Sequence, residues 1–312
     1  MKTLRLRIVQ LLSVLIVLAG VSVMTERNGR GQSQQPSNEP SAPKKTETLV
    51  KPTVLATERP VTTTVPSAFL EAAAQNTSLR SDLIWTFGKK EQHGWYLYDL
   101  LIGETLKIQR DASTTDFAGT IASWQRQKGL VPNGVLDEDS WMALVGQWQN
   151  DRLKDKTPAT PEQLLIAPSS DFYDPARLEE LRQVEKTTYA AYRQMIAAAI
   201  ADPTLRLART SPKELAPSEK FFKIVSSFRS REYQEKLRRE SPNAGSAGLA
   251  TNSPHFTGKA LDLYVGGDPV DTKDANRAIQ VNTPAYKWLV RNAARFGFRP
   301  YFYEPWHWEY VK

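Results

Sequence analysis

The chain has 312 residues, a net charge of +7 at pH 7, three histidines and no cysteine. Its length is enough for two modest domains, because single domains cluster near roughly 100–150 residues. The lack of cysteine excludes disulfides, thiolate metal sites and a catalytic thiol, so a transition-metal site would have to use histidines and carboxylates. The basic charge favours polyanions as partners. Because the sequence contains no DNA-binding motif and no basic cluster with interleaved aromatics, we expect an anionic cell surface and no nucleic acid.

The first residues have the pattern of an export signal. Lys2, Arg5 and Arg7 precede an apolar run from Ile8 to Met24, and this order of basic and apolar segments predicts export. Together with the absence of cysteine, it indicates a bacterial protein of the cell envelope. The run is at the short limit for spanning a bilayer and lacks a clear cleavage site. Residues 1–24 are therefore either a cleaved signal peptide or an anchor that tethers the chain to the membrane through residues 8–24.

Residues 25–66 are rich in Pro, Thr, Ser and Gln and contain few large apolar side chains. Such a segment cannot bury enough apolar surface to offset the entropy of ordering it. We therefore predict a disordered linker between the N-terminal segment and the folded part of the chain.

Residues 67–150 predict a small, mainly helical domain. Apolar residues at helical spacing indicate two helices, the first ending at Gly129 and the second beginning between Asp137 and Asp139. The side chains expected to face inward are Phe117, Ile121, Trp124, Trp141, Leu144 and Val145. The stretches "WQRQKGL", "NGVLDEDSW" and "MAL" resemble the small helical peptidoglycan-binding domain, which implies binding to the bacterial cell wall. A helical spacer without a ligand is the alternative.

Residues 151–170 are polar and contain several prolines, and they predict a second linker before a last domain over residues 171–312. Asp174 is suited to cap a helix and is followed by a proline, which is favoured at the first helical position. We therefore expect a helix from this point to about Ala201. Its alanine-rich end favours close packing against a sheet.

Two stretches of the last domain predict strands with polar residues beside them. "FKIVSSFRSREYQEKL" predicts a strand, a turn and a short helix. "KALDLYV" alternates, so Asp262 lies on the strand face opposite the aliphatic Leu261 and Leu263. His255 comes seven residues before Asp262, and the turn residues up to Gly258 offer the chain reversal that would bring the two together.

A third stretch, "EPWHWEY", contains Glu304 and His307. The proline between them favours a local twist or bulge that lets both side chains enter one cleft. A catalytic zinc site has three protein ligands from histidine and carboxylate, with water in the fourth position. His255, Asp262 and His307 can supply that set, and Glu304 is a nearby carboxylate that can accept a proton from the water.

The motifs "SPHFTGKALD" and "EPWHW", in this order, resemble those of the zinc-dependent D-alanyl-D-alanine carboxypeptidases of VanY type, from about Tyr189 onward. The resemblance implies an α+β catalytic domain with a small antiparallel sheet and flanking helices. It also implies zinc on His255, Asp262 and His307, with Glu304 as the general base.

The stretch "SSFRSREYQ" is similar to a further run of that family, and it implies that Arg229 meets the substrate. A guanidinium matches a carboxylate in two parallel hydrogen bonds, so Arg229 is expected to contact the terminal carboxylate of the substrate or the developing oxyanion. Gln234 and Ser253 are expected to bind substrate beside it.

The resemblance implies an enzyme that removes the terminal D-alanine from peptidoglycan stem peptides. Two alternatives stay open at this point within the same family, an L,D-carboxypeptidase and a peptidoglycan endopeptidase. A third alternative of another class is a non-catalytic protein that binds the cell wall.

Overall fold

The computed structural model of the protein describes residues 67–240 and 252–312. The signal or anchor predicted over residues 1–24 and the linker predicted over 25–66 lie outside the described residues. Everything that is described belongs to one compact unit. Within these two ranges, no helix combines the length and the apolar character needed to cross a membrane.

The described residues form an α+β structure, as predicted. The helices are α1 (Ser67–Asp82), α2 (Asp99–Leu106), α3 (Thr115–Lys128), α4 (Glu138–Asn150), α5 (Lys186–Ala201), α6 (Arg231–Glu240), α7 (Asp274–Asn282) and α8 (Pro284–Asn292). The strands are β1 (Ile84–Phe87), β2 (Lys90–His93), β3 (Leu164–Ile166), β4 (Gln183–Glu185), β5 (Arg209–Ser211), β6 (Glu214–Leu215), β7 (Ile224–Ser226), β8 (Ala260–Leu263), β9 (Phe298–Pro300) and β10 (His307–Tyr310).

The two helices predicted in the N-terminal part are confirmed as α3 and α4. α3 begins after Thr114, whose hydroxyl accepts a hydrogen bond of 3.2 Å from Phe117 N. It ends at Gly129, which adopts the left-handed conformation that glycine reaches without steric cost. α4 begins after Asp137, whose carboxylate accepts a hydrogen bond of 3.0 Å from Ser140 N. Every side chain predicted to face inward from these helices is buried.

The helix predicted to start at Asp174 starts at Lys186 instead, so that prediction is wrong. β4 lies between the two positions, and its central residue Val184 is fully buried. The helix is capped by Glu185, whose carboxylate accepts a hydrogen bond of 2.8 Å from Thr188 N. Burial of Val184 in a paired strand outweighs the local capping signal further upstream, because helix-start signals contribute only about 1 kcal/mol.

The segment predicted as a second linker, residues 151–170, contributes β3 to a two-stranded antiparallel sheet with β4. The backbone of the same segment contacts the turn that carries His255, since Ala159 N donates a hydrogen bond of 2.9 Å to Phe256 O. The segment is thus attached to the C-terminal part at two places. The domain boundaries expected at its two ends remain a prediction.

The predicted antiparallel sheet has the strand order β7-β8-β10-β9. Leu261 and Leu263 of β8 lie in the main hydrophobic core, as their alternation predicts, together with Ala199 and Ile200 from the alanine-rich end of α5. Asp262, which lies between these two leucines in the sequence, is also buried but does not belong to that core. β8 therefore separates an aliphatic face from a face that carries a charged side chain.

A second hydrophobic core joins the N-terminal helices to the loop before β10. Tyr301, Phe302 and Tyr303 are buried in it. The ring of Phe302 lies 4.9 Å from Phe87 and 5.8 Å from Trp148, measured between ring centroids. The loop that precedes β10 is therefore held by aromatic contacts with residues far away in the chain.

Candidate metal centre

The three predicted metal ligands meet at one buried place. Single ligand atoms of His255, Asp262 and His307 all lie within 4.8 Å of one another, and the three side chains are almost fully buried. Two of the ligands are brought together by the sheet itself, because His307 of β10 is paired directly with Asp262 of β8. His307 Nδ1 lies 2.9 Å from Asp262 Oδ1.

His255 reaches the same place through a short turn. It lies in a 3₁₀ turn over Pro254–Thr257, which ends at Gly258 with φ of 67°. A Cβ at Gly258 would lie 2.9 Å from Glu185 N, so the turn requires a residue without a side chain both for its left-handed backbone and for space. The reversal expected at this position is thus present, and it sets His255 Nε2 3.4 Å from Asp262 Oδ1.

In each histidine, a hydrogen bond made by one ring nitrogen determines that the second ring nitrogen faces Asp262. His255 Nδ1 lies 2.7 Å from Ser227 O, and a carbonyl oxygen only accepts, so Nδ1 carries the proton and Nε2 keeps its lone pair. His307 Nε2 lies 3.1 Å from Glu309 Oε1, which leaves Nδ1 toward Asp262. Hydrogen bonds of this kind, made by the nitrogen that does not bind the metal, orient histidine ligands in metal sites.

The charges at the centre suit a cation. Burial, and after it the Arg229 guanidinium, lowers the pKa of His255 to about 4, so its imidazole is neutral at pH 7. Burial acts to raise the pKa of Asp262, but contacts with His255, His307 and Arg229 outweigh it and hold that pKa well below the usual range. Burial also acts to lower the pKa of His307, yet hydrogen bonds to Asp262 and Glu309 outweigh it and raise the pKa to about 9.

Arg229 lies against the ligands and contacts them directly. Its Nη2 donates a hydrogen bond of 2.8 Å to Asp262 Oδ2, and its Nε donates one of 3.0 Å to Ser226 Oγ. Its Nη1 lies 3.4 Å from Oε1 of the buried Gln234. Ser253 caps the turn of His255, since its Oγ accepts a hydrogen bond of 3.3 Å from His255 N. The residues predicted to bind substrate thus lie near the centre: Arg229 contacts Asp262, Gln234 contacts Arg229, and Ser253 contacts the backbone of His255.

Glu304 lies beside the ligands but outside the strand. The sequence predicts it in a cleft with His307, and it is buried in the turn before β10 with Oε2 4.0 Å from His307 Nδ1. Its Oε1 has no hydrogen-bond partner among the described residues. Burial raises the pKa of Glu304 to about 7, with the nearby Asp262 adding to the effect and His307 and two arginines opposing it.

Glu309 is a further residue of the site and is not among those predicted from the sequence. It is completely buried, and it bonds to His307 through Oε1. Its Oε2 accepts a hydrogen bond of 2.9 Å from Leu153 N, and Arg152 forms an ion pair with Oε1. The signal was present in the strand pattern, because residues two apart on a strand share a face and Glu309 follows His307 by two.

The donor set fits zinc. Two imidazole nitrogens and one carboxylate oxygen lie close enough together to match the three protein ligands of catalytic zinc sites, once His307 gives up its Nδ1 proton to the metal. The partner hydrogen bonds of both histidines are already formed. The remaining carboxylate, Glu304, has an oxygen without a partner in the described structure, as expected for a group that acts on a reactant next to the ion.

A buried centre of two histidines, one aspartate and a separate glutamate, built on a small antiparallel sheet, defines a metallopeptidase-type site. The comparison with protein families identifies it further. Residues 181–312 match the family model described as VanY, D-alanyl-D-alanine carboxypeptidase. This part of the chain is therefore similar to the VanY-type carboxypeptidases. The match does not include residues 67–150, for which the peptidoglycan-binding role remains a prediction.

Two solved structures are similar to the chain. One is described as a mutant of the vancomycin resistance D,D-pentapeptidase VanY from the VanB-type resistance cassette in complex with Zn(II), with 19% identity and a TM-score of 0.30 over 53% of this chain and 89% of that one. The other is described as VanYB in complex with D-alanine-D-alanine, with 18% identity and a TM-score of 0.30 over 52% of this chain and 85% of that one. A search of curated proteins gave no match.

Proposed function

We propose that the protein is a zinc-dependent D,D-carboxypeptidase that hydrolyses the terminal D-Ala-D-Ala bond of peptidoglycan stem peptides. The family match over residues 181–312 supports the reaction class. The single observation that carries the assignment of roles is the position of Glu304, a buried carboxylate 4.0 Å from a ligand of a three-residue metal centre.

In this proposal His255, Asp262 and His307 would hold a zinc ion. Zinc bound there would supply Lewis acidity for the activation of water and the polarisation of the scissile carbonyl. The protein orients the ligands beforehand: Ser227 O fixes the ring of His255, Glu309 fixes that of His307, and Arg229 holds the second oxygen of Asp262.

Glu304 acts as general base and then as general acid. Its carboxylate accepts a proton from the attacking water and later donates it to the amine of the departing D-alanine. A base works best when its pKa lies near the working pH, and in the metal-free protein burial raises the pKa of Glu304 to about 7. The unpartnered Oε1 supports this role, because it has no structural hydrogen bond within the described residues to give up when water binds.

Arg229, Gln234 and Ser253 surround the place where the substrate would lie. In the proposal the guanidinium of Arg229 stabilises negative charge on the substrate, either the terminal carboxylate or the developing oxyanion. Its Nη2 already donates a hydrogen bond of 2.8 Å to Asp262, which limits the part of the guanidinium that can contact the substrate. Gln234 lies behind Arg229 and supports it, and Ser253 contributes its hydroxyl from the turn of His255.

The cell-envelope location belongs to the same proposal. A substrate in peptidoglycan requires the enzyme outside the cytoplasm, which agrees with the basic and apolar segment over residues 1–24. We further propose that residues 8–24 anchor the chain to the membrane and that residues 67–150 bind the cell wall.

The test is cleavage of purified muropeptides by the zinc-loaded protein, with the products identified by mass. Loss of one alanine from pentapeptide stems, abolished by a chelator and restored by zinc, supports the D,D-carboxypeptidase. Loss of alanine from tetrapeptide stems would assign an L,D-carboxypeptidase, and a cut within a cross-link would assign an endopeptidase. Wall binding without cleavage would overturn the enzymatic proposal.

A further inference from the structure

The carboxylate of Glu309 is held from three sides. It is completely buried, and a buried charge is costly unless it is paired and hydrogen-bonded. His307 Nε2 lies 3.1 Å from Oε1, Arg152 Nε donates a hydrogen bond of 3.1 Å to the same oxygen, and Leu153 N donates one of 2.9 Å to Oε2. Its position is therefore set by residues that precede it by more than 150 positions in the chain.

Arg152 is itself held in place. It follows the end of α4, and its Nη1 donates a hydrogen bond of 3.0 Å to Gln149 Oε1. Its guanidinium lies over the ring of Tyr301, 3.9 Å from the ring centroid, where cation–π attraction adds to the ion pair. Tyr301 belongs to the aromatic core shared with the N-terminal helices. The guanidinium thus has a defined position before it meets Glu309.

We propose that Arg152 and the backbone of Leu153 are positioning groups for the metal centre, which act through Glu309 on His307. This inference rests on the proposed function of the centre. Glu309 accepts a hydrogen bond from His307 Nε2, so that Nδ1 is the nitrogen that faces Asp262 Oδ1, 2.9 Å away, and that can bind the metal once its proton is displaced. Both positioning groups, at residues 152 and 153, lie outside residues 181–312, the part that matches the carboxypeptidase family. The centre is consequently complete only when the chain before that part is present.

The expected loss of zinc affinity is taken from other metal sites, in which loss of a hydrogen bond to a ligand lowers metal affinity by roughly 10–100-fold. A purely structural ion pair would behave differently. It would change the stability of the fold and leave the zinc affinity of the folded protein unchanged.

The experiment measures zinc affinity in the full-length protein by competition with a chromophoric chelator, together with the thermal unfolding of each metal-free variant. Glu309→Gln and Arg152→Met test the proposal. Asp171→Asn and Arg193→Met are the matched controls, because this ion pair of 3.0 Å is also partly buried but contacts no ligand. We expect zinc binding to weaken by roughly 10–100-fold in Glu309→Gln and by a smaller factor in Arg152→Met, with parent affinity in both controls.

Parent-like zinc affinity in Glu309→Gln and Arg152→Met would overturn the proposal, and so would an equal loss in the controls. If Glu309→Gln does not fold, Arg152→Met decides alone, since the side chain of Arg152 is partly exposed. Zinc affinity is measured without any cleavage, so a parent that binds zinc but cleaves no muropeptide would overturn the proposed function and leave this inference standing.

A second measurement uses the small number of histidines. With three in the chain, ¹⁵N-histidine NMR of the zinc-loaded protein resolves each ring. We expect a slowly exchanging Nε2 proton on His307 in the parent, and faster exchange in Glu309→Gln, because a neutral amide oxygen is a weaker acceptor than a carboxylate. A parent without that proton would contradict the proposed hydrogen bond.

Discussion

Arg229 donates a hydrogen bond of 2.8 Å to Asp262 Oδ2, while Oδ1 of the same carboxylate lies 2.9 Å from His307 Nδ1. The two oxygens of Asp262 therefore have separate partners, and the guanidinium determines which oxygen remains available to a metal ion. We therefore expect Arg229 to hold the predicted ligand Asp262, in addition to the substrate contact proposed for it.

Arg229→Met is expected to weaken both zinc binding and catalysis. Removal of the guanidinium leaves a buried carboxylate oxygen without its donor, which costs about 1–3 kcal/mol of stability, and we expect kcat/KM to fall by at least about tenfold. Zinc titration and steady-state kinetics check this. Arg182→Met is the control, because Arg182 donates to the backbone oxygen of Ala167 and not to a ligand. A higher KM with parent zinc affinity would instead assign Arg229 to substrate binding alone.

Glu304→Gln is expected to remove most of the activity and to keep zinc binding. Loss of a general base costs roughly 10²–10⁴ in rate, whereas the metal ligands are unchanged. The measurement is kcat on a pentapeptide substrate, alongside zinc affinity. Glu219→Gln serves as the control, since Glu219 accepts backbone hydrogen bonds in an exposed loop. A variant as active as the parent would disprove the assigned mechanism.

The same substitution is expected to change how the stability of the metal-free protein depends on pH. Burial raises the pKa of Glu304 from 4.5 to about 7, so the folded protein keeps a proton that the unfolded chain loses between these values. The free energy of unfolding then falls as the pH rises through this window, and Glu304 contributes about 3 kcal/mol to that fall. Chemical denaturation at pH 4.5 and pH 7.5 should show a smaller fall in Glu304→Gln than in the parent. Equal falls would contradict the raised pKa.

Zinc binding is expected to release a proton near neutral pH. Hydrogen bonds to Asp262 and Glu309 outweigh burial and raise the pKa of His307 to about 9, so the metal-free protein carries a proton there that the metal must displace. Because this proton must leave, zinc affinity should rise about tenfold for each unit by which the pH increases toward 9. Calorimetry in buffers of different ionisation enthalpy counts the protons. His93→Gln, at an exposed histidine, should leave the count unchanged, and a count of zero in the parent would be against the prediction.

Removal of the last eight residues is expected to abolish activity and folding. The deletion takes away β10, which lies between β8 and β9 in the sheet and carries His307. Removal of Lys312 alone, which is exposed, is the control and should be tolerated. Circular dichroism and the muropeptide assay check both variants. An active protein without β10 would refute the position of the metal ligand on that strand.

The sequence was sufficient to predict those elements that have strong local signals. The alternation around Asp262, the turn residue Gly258 and the caps of α3 and α4 all predict what the structure contains. These features depend on residues close in the chain. The expected grouping of the ligands also follows from the alternation and the turn.

Other features depend on contacts between distant residues, which local patterns do not carry. The helix start expected at Asp174 failed because Val184 is buried against β3. The ion pair between Arg152 and Glu309 joins positions 157 apart in the chain, and no spacing rule predicts it. Glu309 itself could have been noticed from its position two residues after His307.

The pairing of β8 with β10 gives the metal centre a further property. His307 stands directly opposite Asp262, and a shift of one residue would turn every side chain of β10 to the other face. Trp308 would then take the place of the imidazole, and the indole cannot bind zinc. Only a chain whose sheet has formed in the correct alignment can load its ion, so metal uptake itself distinguishes correctly folded molecules from misfolded ones before any substrate is met.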